Sequence, residues 1–224
     1  FGTGALGDMG CHLIDPAFKT VGLGYPSEVE CSAVNIVEKM WTPDYFPESC
    51  PAASSIILKF PGKEGKPDVK MYWTDGGILP ERPEELGPDE LFGDRDGCGV
   101  LITGTKGKMM CGTYGSNPTL LPTSRTNEVH VPETLARVPE GHYVQWVNAC
   151  IAGYGRKELS SSFDYAGPLT ETVLMGNLAL RSWYVKNGKE FPGRKKLLWD
   201  AVNMKITNFD EANQFVKRTY RAGW

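Results

Sequence analysis

The chain has 224 residues, with 24 Lys and Arg against 27 Asp and Glu, a net charge of −3. That length supports one large domain or two small ones with a proper core, and 41% hydrophobic with 23% charged residues excludes a disordered polymer. The weakly acidic balance, with no basic run longer than Arg194-Lys195-Lys196, excludes the electrostatic footprint of a nucleic-acid binder, and no apolar stretch approaches the roughly 18 residues of a membrane span. Twenty-six Gly and 16 Pro predict many turns and few long helices. The chain begins at Phe1, with no basic and apolar leader, and reads as a processed product or a piece of something longer.

The first element is a glycine-rich lead-in, Gly2 to Gly10, followed by a helical pattern interrupted by Pro16. Either a helix begins at Pro16 with Asp15 as its cap, or a helix running through residues 8–20 is kinked there. Strands are predicted over Val29 to Val37, Ser54 to Phe60 and Val69 to Thr74, which are rich in β-branched and aromatic residues. The connectors Trp41 to Pro51 and Gly76 to Gly99 read as surface excursions. Val100 to Thr103 and Met109 to Thr113 flank Gly104-Thr105-Lys106-Gly107, a hairpin turn. His142 to Ala152 is a helix. Pro168 to Lys186 is predicted as the main helix, with Pro168 in the first position and a stripe of Leu169, Val173, Gly176, Leu180 and Trp183. Short strands at Leu197 to Trp199 and Met204 to Thr207 and a last helix, Asp210 to Arg218, complete the order. Strands that mostly follow strands favour an α+β fold, an antiparallel or mixed sheet with helices on one face. Ile56, Leu58, Ile57, Met71, Trp73 and Tyr72 place apolar residues on both faces of the strands. That predicts association of at least two copies through the open face of the sheet.

The six cysteines contain no Cys-x-x-Cys pair, which argues against structural zinc. A domain of this size needs no disulfides. Buried free thiols are therefore expected, with Cys11, beside His12, the exception.

Two features bear on chemistry. Gly2-Thr3-Gly4-Ala5-Leu6-Gly7 fits the spacing of a dinucleotide loop, but it follows no strand, and Asp8 brings negative charge toward the phosphates. Asp8 and His12 are spaced i, i+4, one above the other on a helix. A carboxylate beside an imidazole fixes its tautomer and makes a general acid or base. A surface Asp–His pair has the same spacing. Gly2, Gly4, Gly7 and Gly10 would let a ligand approach the backbone. Asp15 is explained equally well by capping. Trp73 and Asp75, at a strand end before Gly76-Gly77, are candidate substrate contacts, although core packing accounts for Trp73 too. His130 reads as exposed and His142 as a helix-opening residue. No metal site is predicted.

The run from Gly2 to Asp15 carries Gly2-x-Gly4-x-x-x-Asp8-x-Gly10-x-His12-x-x-Asp15. It resembles a signature just inside the C-terminal domain of the glucose–fructose oxidoreductase/inositol dehydrogenase (Gfo/Idh/MocA) family. The resemblance continues in Phe163-Asp164-Tyr165-Ala166-Gly167-Pro168-Leu169-Thr170-Glu171, in Trp199-Asp200-Ala201-Val202-Asn203-Met204 and in Tyr220 to Trp224, and so covers essentially the whole chain. It implies a single C-terminal substrate-binding and oligomerisation domain over residues 1–224, with a large, mostly antiparallel open sheet and helices on one side. The family's N-terminal Rossmann domain, which binds NAD or NADP and supplies the lysine of a Glu-Lys-Pro motif, is absent; Lys39 in Glu38-Lys39-Met40 is no substitute. By resemblance, His12 is the general base that removes a hydroxyl proton, Asp8 its orienting partner and Asp15 structural. Substrates would be sugars, cyclitols or their derivatives. Assembly would be a homodimer or homotetramer through the sheet. The matching subgroup is secreted or periplasmic, with a cytoplasmic location as the alternative. Relatives that use NAD in glycoside cleavage make an NAD-dependent glycosidase a second reading, and a non-catalytic interaction domain a third.

Overall fold

The computed structural model describes residues 2–63, 65–94 and 97–223; Phe1, Glu64, Arg95, Asp96 and Trp224, the last residue of the closing motif, lie outside the described residues. Among the described residues three α-helices, α1 (Gly4–Val21), α2 (His142–Ala152) and α3 (Phe163–Trp183), accompany eight strands. These are β1 (Glu28–Ala33), β2 (Ser54–Phe60), β3 (Val69–Thr74), β4 (Val100–Gly104), β5 (Gly107–Cys111), β6 (Thr119–Leu121), β7 (Leu197–Asp200) and β8 (Lys205–Ile206).

The fold is α+β. A five-stranded sheet has the order β3-β2-β1-β7-β8, and every pairing in it is antiparallel. A second antiparallel sheet, β4-β5-β6, forms a meander beside it. In β2 the period-2 rule is obeyed: Ser54, Ile56, Leu58 and Phe60 are buried while Ser55, Ile57 and Lys59 are half-buried. The register sets Leu58 between Val29 and Met71, and Ile56 between Cys31 and Trp73. These residues form one core with Leu6, Ile14 and Phe18 of α1 and Val173, Leu178 and Leu180 of α3. Both long helices therefore cover the same face of the sheet.

The opposite face mixes charged with apolar residues. It presents Glu28, Glu30, Lys59 and Lys70, with Tyr72 and Ile57 as its apolar content in β2 and β3. Glu28 stands directly opposite Lys59 and is bridged by Lys59 at 3.5 Å and by Lys196 at 2.9 Å; Lys59 also reaches Asp68 at 2.9 Å. A sheet face carrying its own charge ladder can meet water, while Tyr72 and Leu198 leave apolar area on it exposed. The hydrogen bond from Lys196, with the charges of Lys196 and Lys59, holds the Glu28 carboxyl below its usual range. A carboxylate with a lowered folded-state value contributes stability above its unfolded value and loses it as pH falls through the folded one. Stability should therefore drop on acidification through the carboxylate range, and Glu28→Gln should flatten that slope in urea midpoints measured from neutral to acid pH.

α1 runs continuously through Pro16, so the helix does not begin there. The proline deprives the His12 carbonyl of its usual i+4 donor. The helix stops at Gly22, in the left-handed conformation at φ 71°, whose N–H caps the Phe18 carbonyl. α3 begins at Phe163, five residues before the predicted start, so Pro168 lies inside the helix. The Ser162 carbonyl accepts from the Tyr165 and Ala166 N–H groups and opens the first turn. β1 stops at Ala33, and the last predicted helix is a short 3-10 stretch, Asp210–Phe215.

α1 and α3 cross at two glycines. A Cβ on Gly176 would lie 2.2 Å from Leu6 Cδ2 and 3.2 Å from Ile56 Cδ1, and one on Gly10 would lie 3.1 Å from Val173 Cγ2. Leu6 and Ile56 are fully buried and have nowhere to move. Gly176→Ala should therefore destabilise by about 1–3 kcal/mol, the usual cost of overpacking, as read from a denaturant midpoint.

Candidate functional site around His12

The buried positions of α1, Leu6, Gly10, Ile14 and Phe18, define its inner face. Asp8 is exposed and His12 half-buried, so the helix holds both on its outer side, one turn apart. No hydrogen bond or ion pair joins them. His12 instead meets Tyr114 edge-on, with ring centroids 4.8 Å apart and planes at 65°.

Tyr114 lies in a turn, Thr113–Gly115, that packs onto α1; a Cβ on Gly115 would lie 3.4 Å from Pro16 Cγ. Its φ of 62° is left-handed, a conformation uncommon outside glycine. Asp94 staples the turn: Oδ2 accepts from the Thr113 N–H at 2.6 Å and Oδ1 from the Ser116 hydroxyl at 3.2 Å. The Thr113 N–H bond, above all, keeps the Asp94 carboxyl below its ordinary range. Sequence reading missed Tyr114, placing the segment at a strand end. The cluster Gly115-Ser116-Asn117-Pro118 was the available signal for a turn.

Asp15 accepts a hydrogen bond from the Tyr165 hydroxyl of α3, and Lys19 sits over the Tyr165 ring at 5.3 Å. Burial, then the Asp15 carboxylate, push the Tyr165 phenol up. Asp15 thus ties α1 to α3.

Of the lead-in glycines Gly2 has open space around it, while Gly4, Gly7 and Gly10 do not open the backbone to a ligand. A Cβ on Gly4 would sit 2.8 Å from Cys50 Sγ, and one on Gly7 2.0 Å from Thr3 Cβ, while Gly10 serves the α3 crossing. Cys50 also donates to the Gly2 carbonyl at 2.9 Å. The dinucleotide implied by the resemblance needs an open glycine cradle at its pyrophosphate. Here the protein's own side chains fill it at Gly4, Gly7 and Gly10, so these residues do not fit that group.

Trp73 and Asp75 come together with each other and with Ser54, not with Asp8 or His12. Asp75 Oδ1 accepts from the Ser54 N–H at 2.6 Å; Oδ2 accepts from the Ser54 hydroxyl at 2.9 Å and from Trp73 Nε1 at 2.8 Å. Trp73 is buried in the core. The following Gly76, at φ 65°, would place a Cβ 2.3 Å from the Ala52 carbonyl oxygen. These residues form a closed turn, and the polar groups proposed for substrate are already engaged. A cleft of about 850 Å³ lies between the outer edges of β3 and β4, with Leu13, Met71, Trp73, Phe92 and Leu101 among its walls. His12, Asp8 and Asp75 do not line it.

His130 is exposed, and His142 opens α2 against Tyr143, ring centroids 4.1 Å apart. The cysteines are free; Cys98 and Cys150 are exposed, against the expectation of buried thiols, as is Cys11, the one set apart from it. Cys111 is buried as expected, and the half-buried Cys31 has its thiol pushed up to about 12 by burial. Among the described residues no group of three or more His, Cys, Asp or Glu side chains is placed to hold a metal ion, and no helix is long and apolar enough to cross a membrane.

No protein-family model matches the sequence, and no curated protein is significantly similar to it.

Proposed function

We propose that the chain is the substrate-binding domain of an NAD(P)-dependent oxidoreductase acting on a sugar, a cyclitol or a derivative, with His12 as the group that takes the substrate's hydroxyl proton. The observation that carries this reading is the placement of His12. α1 is fixed to the core by Gly10, Ile14 and the Gly176 crossing, and His12 stands on its outer side between Asp8 and a stapled turn bearing Tyr114. An imidazole held on a rigid element and still reachable is what proton transfer near neutral pH requires.

The roles follow from the side chains. His12 accepts the proton. Asp8, unpaired with His12, has both carboxylate oxygens available to polyol hydroxyls. The exposed edge of Tyr114 offers an apolar contact for a sugar ring and a phenol that can donate. The nicotinamide would be held outside the residues described here, since the glycine run gives it no cradle.

The test is steady-state turnover of the full-length polypeptide with a panel of sugars and cyclitols, with and without a chromogenic glycoside. Nicotinamide reduction that depends on His12 supports an oxidoreductase. Release of the aglycone without added cofactor would favour the glycosidase. Activity indifferent to His12 would leave α1 a packing helix, the reading that the unpaired Asp8 and His12 favour.

A further inference from the structure

Tyr114 is 71% exposed, so burial does not hold its ring against His12. The backbone beneath the ring has that task, and it is an unfavourable backbone for an L-residue: Tyr114 at φ 62° and Gly115 at φ 71° are both left-handed. A residue kept in such a conformation is over-determined by its surroundings, and such residues gather at functional sites. The turn closes on itself through the Gly112 N–H, which donates to the Ser116 carbonyl at 2.8 Å, and the Ser116 N–H, which donates to the Thr113 carbonyl at 3.2 Å. Pro16 of α1 lies against Gly115 on one side. On the other stands Asp94. One carboxylate oxygen takes the Thr113 N–H and the other the Ser116 hydroxyl, so a single side chain clamps the residues that flank Tyr114 and Gly115. The buried Gly112 makes room for it, since a Cβ there would lie 1.9 Å from Asp94 Oδ1. Asp94 is itself fixed, its N–H donating to the Cys98 carbonyl at 2.8 Å and its carbonyl accepting from the Gly97 N–H at 2.9 Å.

We propose that Asp94 is a positioning residue of the His12 site, acting through Tyr114: the clamp holds the left-handed turn, and the turn holds the phenol ring edge-on to the imidazole. Asp94 makes no bond to His12. Its effect is on orientation. A neighbouring ring at 4.8 Å and 65° limits how the imidazole turns, and so which of its two distinct nitrogens meets an arriving hydroxyl. Geometry of this kind precedes any question of proton affinity in a general base. The consequence for turnover rests on His12 as the proton acceptor; the consequence for the ring pair does not, and the two are read separately below.

The experiment is proton NMR of the imidazole ring protons of the chain at fixed pH. There are three histidines, and His12→Gln identifies the signal of His12. Tyr114→Ala gives the position of that signal without the neighbouring ring. Asp94→Ala is expected to move it most of the way to that position, with the signals of His130 and His142 unmoved, and to move it no further when Tyr114 is already alanine. Non-additivity of this kind marks two residues acting as one unit; a residue that only stabilised the β4-β5-β6 sheet would leave the His12 signal in place. Asp94→Asn, whose amide oxygen still accepts from the Thr113 N–H, should return it towards wild type. If Asp94→Ala does not fold, Ser116→Ala opens one arm of the clamp at a half-buried residue, and the His12 signal should move part of the way in the same direction. An unmoved His12 signal in the folded variant overturns the proposal, and so does a shift of the same size with and without the Tyr114 ring. In the full-length polypeptide Asp94→Ala should lower kcat, and lower it less when Tyr114 is already alanine. A His12 signal that moves while kcat stays constant supports the clamp and counts against His12 as the proton acceptor.

Discussion

Replacing His12 with alanine should lower turnover of a sugar or cyclitol substrate by about 10²–10⁴-fold, the usual contribution of a positioned general base, with far less change in KM. The asymmetry is the informative part. A group that acts only on the moving proton is lost from kcat, whereas a group that merely holds substrate is lost from KM. The substitution also removes the ring that meets Tyr114, so Tyr114→Phe is the useful companion, keeping the edge contact while deleting the hydroxyl. Asp8→Asn should cost less than His12→Ala, because no bond between the two is there to break. Steady-state kinetics of the three variants check this. Equal kcat in wild type and His12→Ala would remove His12 from the chemistry.

Asp75→Ala should destabilise the fold by about 3–5 kcal/mol without raising KM. Its carboxylate takes three hydrogen bonds, two from Ser54 and one from Trp73. Ser54 and Trp73 are buried, so removing the acceptor strands donors that water cannot reach, at about 1–3 kcal/mol each. A urea titration reads the loss. A variant with wild-type stability and a weakened KM would restore Asp75 to the substrate site, where strand-end position alone had placed it.

The contrast between these residues shows where sequence was sufficient. The bounds of β2, β3 and α2 are readable because period and turn residues agree locally. In β2, alternation separates Ile56 and Leu58 from Ile57 and Lys59 with no help from neighbours. The i, i+4 spacing of Asp8 and His12 likewise places them on one side of a helix. What spacing does not carry is who stands opposite. The His12 ring finds Tyr114, more than a hundred residues away, held in a left-handed turn by Asp94. The glycines of the lead-in read as openings because a missing side chain looks like space. At Gly4, Gly7 and Gly10, Cys50, Thr3 and Val173 occupy that space. On the open sheet face, parity within β2 and β3 shows the apolar Ile57 and Tyr72 but not the charges that β1 sets beside them. Only the register brings Glu28 opposite Lys59 and so reveals the charge ladder.

The proposed activity turns on proton removal by His12 during oxidation of a polyol, and nicotinamide reduction by the full-length polypeptide measures it most directly. Wild type and His12→Ala are mixed with NAD or NADP and a panel of sugars and cyclitols, and the near-ultraviolet absorbance of the reduced nicotinamide is followed. Reduction by the wild type with at least one member of the panel, lost about 10²-fold or more in His12→Ala, is the predicted result. No reduction with any member, or reduction at the same rate in both proteins, would contradict it.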